Sequence, residues 1–262
     1  MPVRVLQVDA FTQTPFAGNP AAVCLLPGPA EDQWMQRVAA EMNLAATAFV
    51  EPRSDGFGLR WFTSRVELTL CGHGTLAAAH ALWEDGAFDT PDRLAFHTQA
   101  GILTAHRDGP WINLDFPAEP EHQEPDVPEQ LPRALGLVPL YVGKNRLDYL
   151  AEVESEEVLT SLAPDRSLLS TLPARGVIVT ARGSGEYDFV SRYFAPAIGI
   201  DEDHATGSAH CCLGPFWGPR LGKDEMLAYQ ASPRGGVIRV RADGDRVQLG
   251  GMAVTVLRGE LA

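Results

Sequence analysis

The sequence lacks the features of a membrane-spanning, secreted or nucleic-acid-binding protein. No apolar run approaches the ~20 residues that cross a bilayer, and the first ten residues contain no apolar signal-peptide segment. Lys and Arg number only 21 against 34 Asp and Glu, for a formal net charge of −13, whereas nucleic acids are bound by clustered positive charge. We therefore predict a cytoplasmic protein that binds neither membranes nor nucleic acids.

Cysteine is also scarce, and its spacing does not suit a metal. The cysteines are Cys24, Cys71, Cys211 and Cys212, and none forms the C-x-x-C pair of common zinc sites. Cys211 and Cys212 lie in an apolar stretch, where cysteine usually packs as a small hydrophobic residue. No G-x-G-x-x-G follows the first predicted strand, so a dinucleotide-binding fold is not favoured. The sequence predicts no metal site.

Two segments of the chain are similar to each other. Cys71-Gly72-His73-Gly74-Thr75 precedes the apolar stretch Leu76–Trp83, and Thr206-Gly207-Ser208 precedes Ala209–Trp217. We predict that each polar segment begins a buried helix. The first N–H groups of a helix lack backbone partners and carry a partial positive charge, so they suit an anion. The similarity indicates a duplicated architecture, with a small anionic ligand bound where the two helix starts meet.

The chain divides near a segment rich in Pro and Glu. Five prolines fall between Pro117 and Pro132, which disfavours a regular element there and marks a linker. We predict an N-terminal domain over 1–118 and a C-terminal domain over 119–251. Each half mixes short strands with helices but shows no strict βαβ alternation, which predicts a curved sheet around a hydrophobic helix in each domain.

The residues at the two helix starts are candidates for chemistry, and each has a structural alternative. His73 lies between two glycines that let a ligand approach closely, although a single histidine is often purely structural. Asp203 and Ser208 are close enough in sequence for one turn to bring both side chains to a common cleft. Asp, Thr or Ser before a helix often serves only as its cap.

Two further possibilities concern a loop and a hydrolase triad. Gly18 permits a positive φ and Pro20 extends the residue before it, so Asn19 either faces a cleft or belongs to an ordinary turn. Ser208, His73 and Asp203 formally make a Ser-His-Asp set. That interpretation ranks low because the sequence around Ser208 lacks the G-x-S-x-G pattern of a nucleophile elbow.

The order of several short motifs resembles the PhzF-like phenazine-biosynthesis family over almost the whole chain. Each motif alone is modest, and their order is the specific signal. The motifs are Asp9-Ala10-Phe11, Phe16-Ala17-Gly18-Asn19-Pro20-Ala21-Ala22-Val23, Trp61-Phe62-Thr63, Leu70-Cys71-Gly72-His73-Gly74-Thr75, Arg192-Tyr193-Phe194-Ala195-Pro196, Gly199 through His210, and Gln230-Ala231-Ser232-Pro233-Arg234-Gly235-Gly236.

This resemblance implies a fold and an activity. The fold is diaminopimelate epimerase-like: α+β, with two similar domains, each an antiparallel curved sheet or half-barrel around a central helix, and the active site between them. The last strand, about 252–262, often returns to the first domain, and homodimers are usual. The family's phenazine enzyme isomerises trans-2,3-dihydro-3-hydroxyanthranilate without a cofactor. The resemblance therefore implies a cofactor-independent isomerase or epimerase of a small carboxylated substrate.

The resemblance also assigns residues. The family's His, Asp and Ser correspond to His73, Asp203 and Ser208. The loop at Gly18–Pro20 and the N–H groups of the two helix starts, rather than the resemblance, make Asn19, Gly74, Thr75 and Gly207 the expected substrate-binding positions. Relatives in the wider fold use two cysteines; Cys71 matches one position, but no cysteine lies between Asp203 and Ser208.

One position departs from the family. Its proton-transferring Glu follows Asn-Leu-Ser, whereas this chain reads Met42-Asn43-Leu44-Ala45-Ala46-Thr47. Ala46 cannot transfer a proton, and loss of a general acid or base typically costs about 10² to 10⁴ in rate. Three explanations are open: different chemistry, a base that is lost or supplied from elsewhere, or a deliberate substitution. A non-catalytic small-molecule binder is the alternative function.

Overall fold

The computed structural model describes residues 3–86 and 90–262. The chain forms two compact units. Unit 1 comprises the chain up to Phe116 together with Leu249–Ala262, and unit 2 comprises Pro117–Gln248. The C-terminal residues therefore belong with the N-terminal part of the chain.

The described residues of unit 1 form both helices and strands. Its elements follow the order β1 (Val3–Ala10), β2 (Asn19–Leu25), α1 (Asp32–Met42), β3 (Ala46–Arg53), β4 (Gly56–Phe62), β5 (Glu67–Leu68), α2 (Gly72–Asp85), β6 (Arg93–Thr98), β7 (Gly101–Asp108) and β8 (Trp111–Pro117).

Unit 2 has the same mixture of elements. They are β9 (His122–Gln123), α3 (Gln130–Leu135), β10 (Tyr141–Lys144), β11 (Asp148–Glu152), α4 (Glu156–Ser161), α5 (Arg166–Leu169), β12 (Gly176–Arg182), β13 (Phe189–Ala195), a short 3₁₀ helix (Pro196–Ile198), β14 (Ile200–Asp203), α6 (Gly207–Leu221), β15 (Glu225–Gln230) and β16 (Gly236–Asp243). The next strand, β17 (Arg246–Gly251), begins in unit 2 and its last three residues belong to unit 1. The last strand, β18 (Ala253–Leu261), pairs with β1 of unit 1.

The two units repeat one topology. In unit 1, β2 and β3 are parallel, β4 runs antiparallel to β3 and carries the short β5, and β6 is parallel to β4. In unit 2, β11 and β12, then β13 with the short β14, and then β15 show the same relations. Because parallel neighbours need a crossover, each parallel pair is bridged by helix: α1, α2, α4 with α5, and α6 in turn. The predicted fold class is confirmed, and the sheets prove to be mixed rather than purely antiparallel.

The central helices α2 and α6 are apolar around most of their circumference. The residues from His73 to Ala79 are all buried in α2, and most of α6 between Gly207 and Gly218 is buried as well. Such a helix is stable only inside a sheet, and α2 packs against β1, β2 and β3. The predicted buried helices are therefore present, and they extend beyond the apolar stretches that signalled them.

Helix α6 contains two prolines, Pro215 and Pro219, although proline normally disrupts the interior of a helix. Pro215 has no N–H, so the carbonyl of Cys211 one turn earlier loses its helical donor. The backbone N–H of Glu119 donates to that carbonyl at 3.0 Å. The start of the Pro- and Glu-rich segment thus satisfies a backbone group of the central helix of its own unit.

Local sequence patterns misplace two boundaries of this chain. The alternating residues Val66–Leu70 predict a strand, but only Glu67 and Leu68 pair, opposite Phe62 and Trp61 of β4. The residues Pro196–Asp203 before the second apolar stretch predict a loop, but a 3₁₀ turn leads into β14, whose Asp203 lies opposite Tyr193. Both short strands lie immediately before a central helix, and their pairing with a neighbouring strand, rather than an alternating pattern, decides their extent.

Candidate active site

Helix α2 begins with a histidine in its first turn. Cys71 is the N-cap residue and makes no side-chain cap hydrogen bond, so His73 is the second helical residue. His73 is only 8% exposed, and its Nδ1 lies 3.6 Å from Cys71 Sγ. A Cβ on Gly74 would lie 2.7 Å from Cδ1 of Trp61, so only glycine lets the first turn pack this closely on β4.

Helix α6 begins in the same way, with Thr206 as its N-cap and Ser208 as its second helical residue. The Thr206 hydroxyl does not cap the helix. It donates to Oδ2 of Asp203 at 2.5 Å, while the Thr206 N–H donates to Oε1 of Gln230 at 2.8 Å. Nε2 of Gln230 donates to the Asp203 carbonyl at 2.7 Å. A glutamine from β15 therefore fixes this turn, and Thr206 does not act as the ordinary cap that was the structural alternative.

The same hydrogen bond closes the first turn of both helices. In α2 the Thr75 hydroxyl donates to the Cys71 carbonyl at 2.6 Å. In α6 Nδ1 of His210 lies 2.8 Å from the Thr206 carbonyl and is placed to donate to it. Each donor is the fourth helical residue and each acceptor is the N-cap. The N-terminal turns are thus equivalent in design, with His73 and Ser208 at matching positions.

Other helices of unit 2 begin with an N-cap residue whose side chain does cap the helix. The Ser155 side chain accepts from the Val158 N–H at the start of α4, and Asp165 accepts from the Leu168 N–H at the start of α5. These caps occupy N–H groups that would otherwise be open to a ligand. The N-cap side chains of α2 and α6 form no such bond, which suits both helix starts to an anion.

A buried ion pair holds the strand that carries Asp203. Arg192 on β13 binds Glu202 on β14 through two hydrogen bonds of 2.8 and 2.9 Å. Nη1 of Arg192 also donates to the Leu162 carbonyl at 2.7 Å. Because the paired side chains are only 10% and 9% exposed, solvent screens their attraction little. This ion pair holds β14 against β13, and Asp203 is the last residue of β14. The position of the Asp203 carboxylate is therefore restrained.

Ser208 belongs to a polar network that sequence reasoning missed. Nη2 of Arg175 donates to Oγ of Ser208 at 3.0 Å. The same guanidinium binds both oxygens of Asp148, at 3.0 and 2.5 Å, and the Tyr193 hydroxyl donates to Oδ1 of Asp148 at 2.9 Å. Since Tyr193 lies opposite Asp203 in the sheet, the structure places Asp203 and Ser208 in one neighbourhood. No motif signalled Arg175 or Asp148, and Tyr193 appeared only as part of a family motif.

Titration directions identify the charged and neutral members of these networks. Burial and the charge of Asp148 raise the pKa of Tyr193, which stays a neutral donor. Burial is the largest single influence and would lower the pKa of Arg175, but the hydrogen bonds and charge interactions with Asp148 and Tyr193 together outweigh it, so the net direction is upward. Burial lowers the pKa of His210 to about 4. His210 is therefore neutral at pH 7 and structural, whereas Arg175 is a permanent cation.

The remaining predicted residues lie in unit 1. Asn19 is fully buried at the start of β2, opposite Ala10, and its expected contact with substrate stays a prediction. Thr75 uses its hydroxyl for the Cys71 carbonyl, as described above, and its N–H donates to the same atom. Any contact of Thr75 with a ligand therefore has to compete with these two bonds.

Ala46 is the first residue of β3 and is completely buried. Its neighbour on the same strand face, Ala48, lies opposite Trp61, the residue that contacts Gly74. Phe49 has the opposite parity and belongs to the cluster around α1. Position 46 therefore faces the side of the sheet that carries α2 and His73.

Neither a metal cluster nor a membrane helix is evident in the described ranges. Across residues 3–86 and 90–262, no group of three or more His, Cys, Asp or Glu side chains is arranged to hold a metal ion. Within the same ranges, the helices are too short or too polar to reach across a bilayer.

Comparison with known proteins gives consistent matches. The family model described as phenazine biosynthesis-like protein, PhzC-PhzF, matches residues 8–259. An uncharacterized isomerase of Halalkalibacterium halodurans is 55% identical over 262 residues, covering 100% of this chain and 99% of that protein. The crystal structure of a PhzF-family protein from Enterococcus faecalis superposes with a TM-score of 0.95 at 39% identity, with both chains covered completely.

A more distant structure shares the fold alone. A hydroxyproline epimerase from Agrobacterium vitis, solved with trans-4-hydroxy-L-proline, superposes with a TM-score of 0.62 at 12% identity. The match covers 99% of this chain and 91% of the epimerase. The architecture described above is thus common to PhzF-family proteins and to an epimerase of very different sequence.

Proposed function

The chain belongs to the phenazine biosynthesis-like (PhzF) family, and from that premise we propose that it is a cofactor-independent isomerase or epimerase. The substrate is a small carboxylate on which the enzyme moves a proton. The observation that carries this proposal is the matched design of the starts of α2 and α6. Each has an N-cap side chain that does not cap the helix, a first turn closed by a hydrogen bond, and a polar side chain, His73 or Ser208, at the second position.

The first-turn N–H groups supply the binding element. In a helix the N–H groups before the fourth residue have no intrahelical acceptor, which here includes those of Gly72 and Gly74 in α2 and of Gly207 to Ala209 in α6. Thr75 is excluded, because its N–H is bound to Cys71. We propose that the donors at the start of α6 hold the substrate carboxylate, and that those at the start of α2 suit negative charge in the same way.

Proton transfer requires a base. Asp203 is the proposed base of this chain, since its carboxylate is fixed by Thr206 and delivered by the ion-paired strand β14. His73 and Ser208 orient the substrate and relay protons. Replacing Asp203 with Asn keeps the shape and removes the base, so turnover should fall by about 10² or more. Unchanged turnover of D203N would exclude Asp203 from the mechanism.

The second candidate function is non-catalytic binding, and Ala46 is the observation that favours it. Ala46 is the first residue of β3 and is completely buried. Ala48, on the same strand face, lies opposite Trp61, which contacts Gly74 in the first turn of α2. A long side chain at position 46 is therefore expected to extend toward the side of the sheet that carries His73.

The two candidates are separated by restoring the carboxylate. We expect Ala46→Glu to exchange substrate protons with solvent deuterium at least about 10²-fold faster than the native chain, if the chain is a disabled catalyst. The assay follows deuterium incorporation by NMR for dihydroanthranilate-type and amino-acid-type carboxylates. Ala48→Glu is the matched control, because position 48 is equally buried on the same strand face but lies farther along the strand.

Each result selects one function. Exchange by the native chain that is lost in D203N supports the isomerase with Asp203 as base. Exchange only by A46E, and not by A48E, supports a scaffold that has lost its base. Binding of a carboxylate without exchange in any variant supports the binding function. A homodimer is also proposed from the family, and its mass in solution is measurable by light scattering.

A further inference from the structure

Arg175 is held more firmly than a surface arginine. Its backbone N–H donates to the Leu147 carbonyl at 2.8 Å, and its guanidinium makes two hydrogen bonds to Asp148. Asp148 is only 1% exposed, and the Arg175 side chain is 28% exposed. The guanidinium also lies over the Tyr193 ring, 5.7 Å from its centroid. These contacts fix both the position and the orientation of the cation.

The residues around Asp148 leave the guanidinium little freedom to move. Oδ1 of Asn145 accepts from the Leu147 and Asp148 N–H groups at 2.8 and 2.7 Å, which fixes the backbone on which Asp148 is carried. A Cβ on Gly176 would lie 2.6 Å from the Tyr193 hydroxyl oxygen. The glycine after Arg175 is therefore needed for Tyr193 to reach Asp148.

The direction of the Arg175–Ser208 hydrogen bond has a chemical consequence. Arginine has only donors, whereas a serine hydroxyl has one proton and two lone pairs. Oγ of Ser208 therefore accepts from Arg175, and the hydroxyl proton must point to a different acceptor. A hydroxyl at the second position of a helix, with its proton turned away from the cation, is suited to donate to an anion.

We propose that Arg175, anchored by Asp148 and Tyr193, is a positioning residue that fixes the Ser208 hydroxyl as a hydrogen-bond donor to the substrate carboxylate. This inference rests on the proposed function, because it assigns a role at the same ligand site. Arg175 acts through Ser208, since its own charge is already paired with Asp148. Removing Arg175 leaves the hydroxyl free to rotate and weakens its contribution.

The test measures binding of a defined carboxylate to four chains: the native chain, Arg175→Met, Ser208→Ala and the double variant. Anthranilate is the probe, and its neutral amide is the control ligand. Binding is followed through the ¹⁵N–¹H shifts of Gly207, Ser208 and Ala209. We expect each single variant to bind anthranilate about fivefold to tenfold more weakly, and the double variant to bind no more weakly than Ser208→Ala, because both changes remove one interaction.

Two further variants exclude a merely structural effect. Arg175→Lys retains the cation but has a single ammonium group in place of the planar fork, so it should restore only part of the affinity. Arg166→Met removes an exposed arginine of the same unit, which is paired with Asp201 at the surface, and should leave affinity unchanged. Urea unfolding of every variant shows whether the fraction folded is constant.

The outcomes separate this inference from the function on which it rests. Native affinity in Arg175→Met, or losses that add in the double variant, would overturn the role of Arg175 while the carboxylate site stands. If anthranilate and its amide shift the native amides equally or not at all, the proposed carboxylate site fails, and the role of Arg175 fails with it. Weaker binding in both single variants without additivity supports the positioning role.

Discussion

The contribution of the buried ion pair between Asp148 and Arg175 to the free energy of unfolding can be measured with a single substitution. Asp148→Asn keeps the shape of the side chain and removes its charge. Oδ1 accepts from Nε of Arg175 and from Tyr193, so an amide oxygen can replace it. Oδ2 accepts from Nη2 of Arg175, and an amide nitrogen there would place donor against donor.

The loss of stability expected in Asp148→Asn depends on how deeply the ion pair is buried. Removing one partner of a buried ion pair typically costs about 3 to 5 kcal/mol. Because the Arg175 side chain is 28% exposed, solvent compensates in part, and we expect the lower end, about 3 kcal/mol. For a chain of this size each kcal/mol lowers Tm by roughly 2 to 4 °C, so the expected fall is about 6 to 12 °C.

The assay is differential scanning calorimetry together with urea unfolding at pH 7. The control is Asp201→Asn, which discharges a surface pair with Arg166 whose side chains are 65% and 55% exposed. Exposed pairs contribute about 0 to 1 kcal/mol, so this control should unfold almost as the native chain does. Equal stabilities of D148N and D201N would refute the view that the Asp148 network organises unit 2.

Two further predictions concern buried titratable groups. Burial lowers the pKa of His210 from 6.5 to about 4, so the unfolded state binds the extra proton between these values and stability must fall by about 3 kcal/mol as pH drops from 7 to 4. His210→Gln should lose this component in urea titrations across that range, and identical pH profiles would contradict the assignment. Burial raises the pKa of Cys24 and of Cys212 to about 12, so neither should react with a disulfide reagent at pH 8 until urea unfolds the chain. Modification of either in the native protein within minutes would show that its thiol is accessible.

The starts of α2 and α6 show which features of a helix can be predicted from neighbouring residues in the sequence. Glycines and small polar residues before two apolar stretches predicted buried helices with polar beginnings, and both helices are present. Period and composition suffice here, because a helix that is apolar on all sides must be surrounded by its sheet. Capping could not be judged in this way. Whether Thr206 caps its helix or binds Asp203 depends on Gln230, which lies 24 residues later in the chain.

Short strands show the opposite limit. β14 has four residues and is recognisable only through its pairing with β13, and the buried pair of Arg192 and Glu202 that holds it joins residues ten positions apart. A strand of this length is too short to show an alternating pattern of polar and apolar residues that would predict it. The candidate network of Ser208 was missed for the same reason, since Arg175 and Asp148 are 27 positions apart and have no motif in common.

The sequence by itself determined the elements that depend on neighbours along the chain: the two apolar helices, their glycine-containing starts and the Pro-rich segment. The tertiary structure decided which polar groups are partners. It joined Asp148 and Arg175 to Ser208, Gln230 to Thr206, and the β18 strand to β1. A hydrogen bond needs its two atoms within about 3 Å, and for residues far apart along the chain only the packing of sheets and helices brings them to that distance.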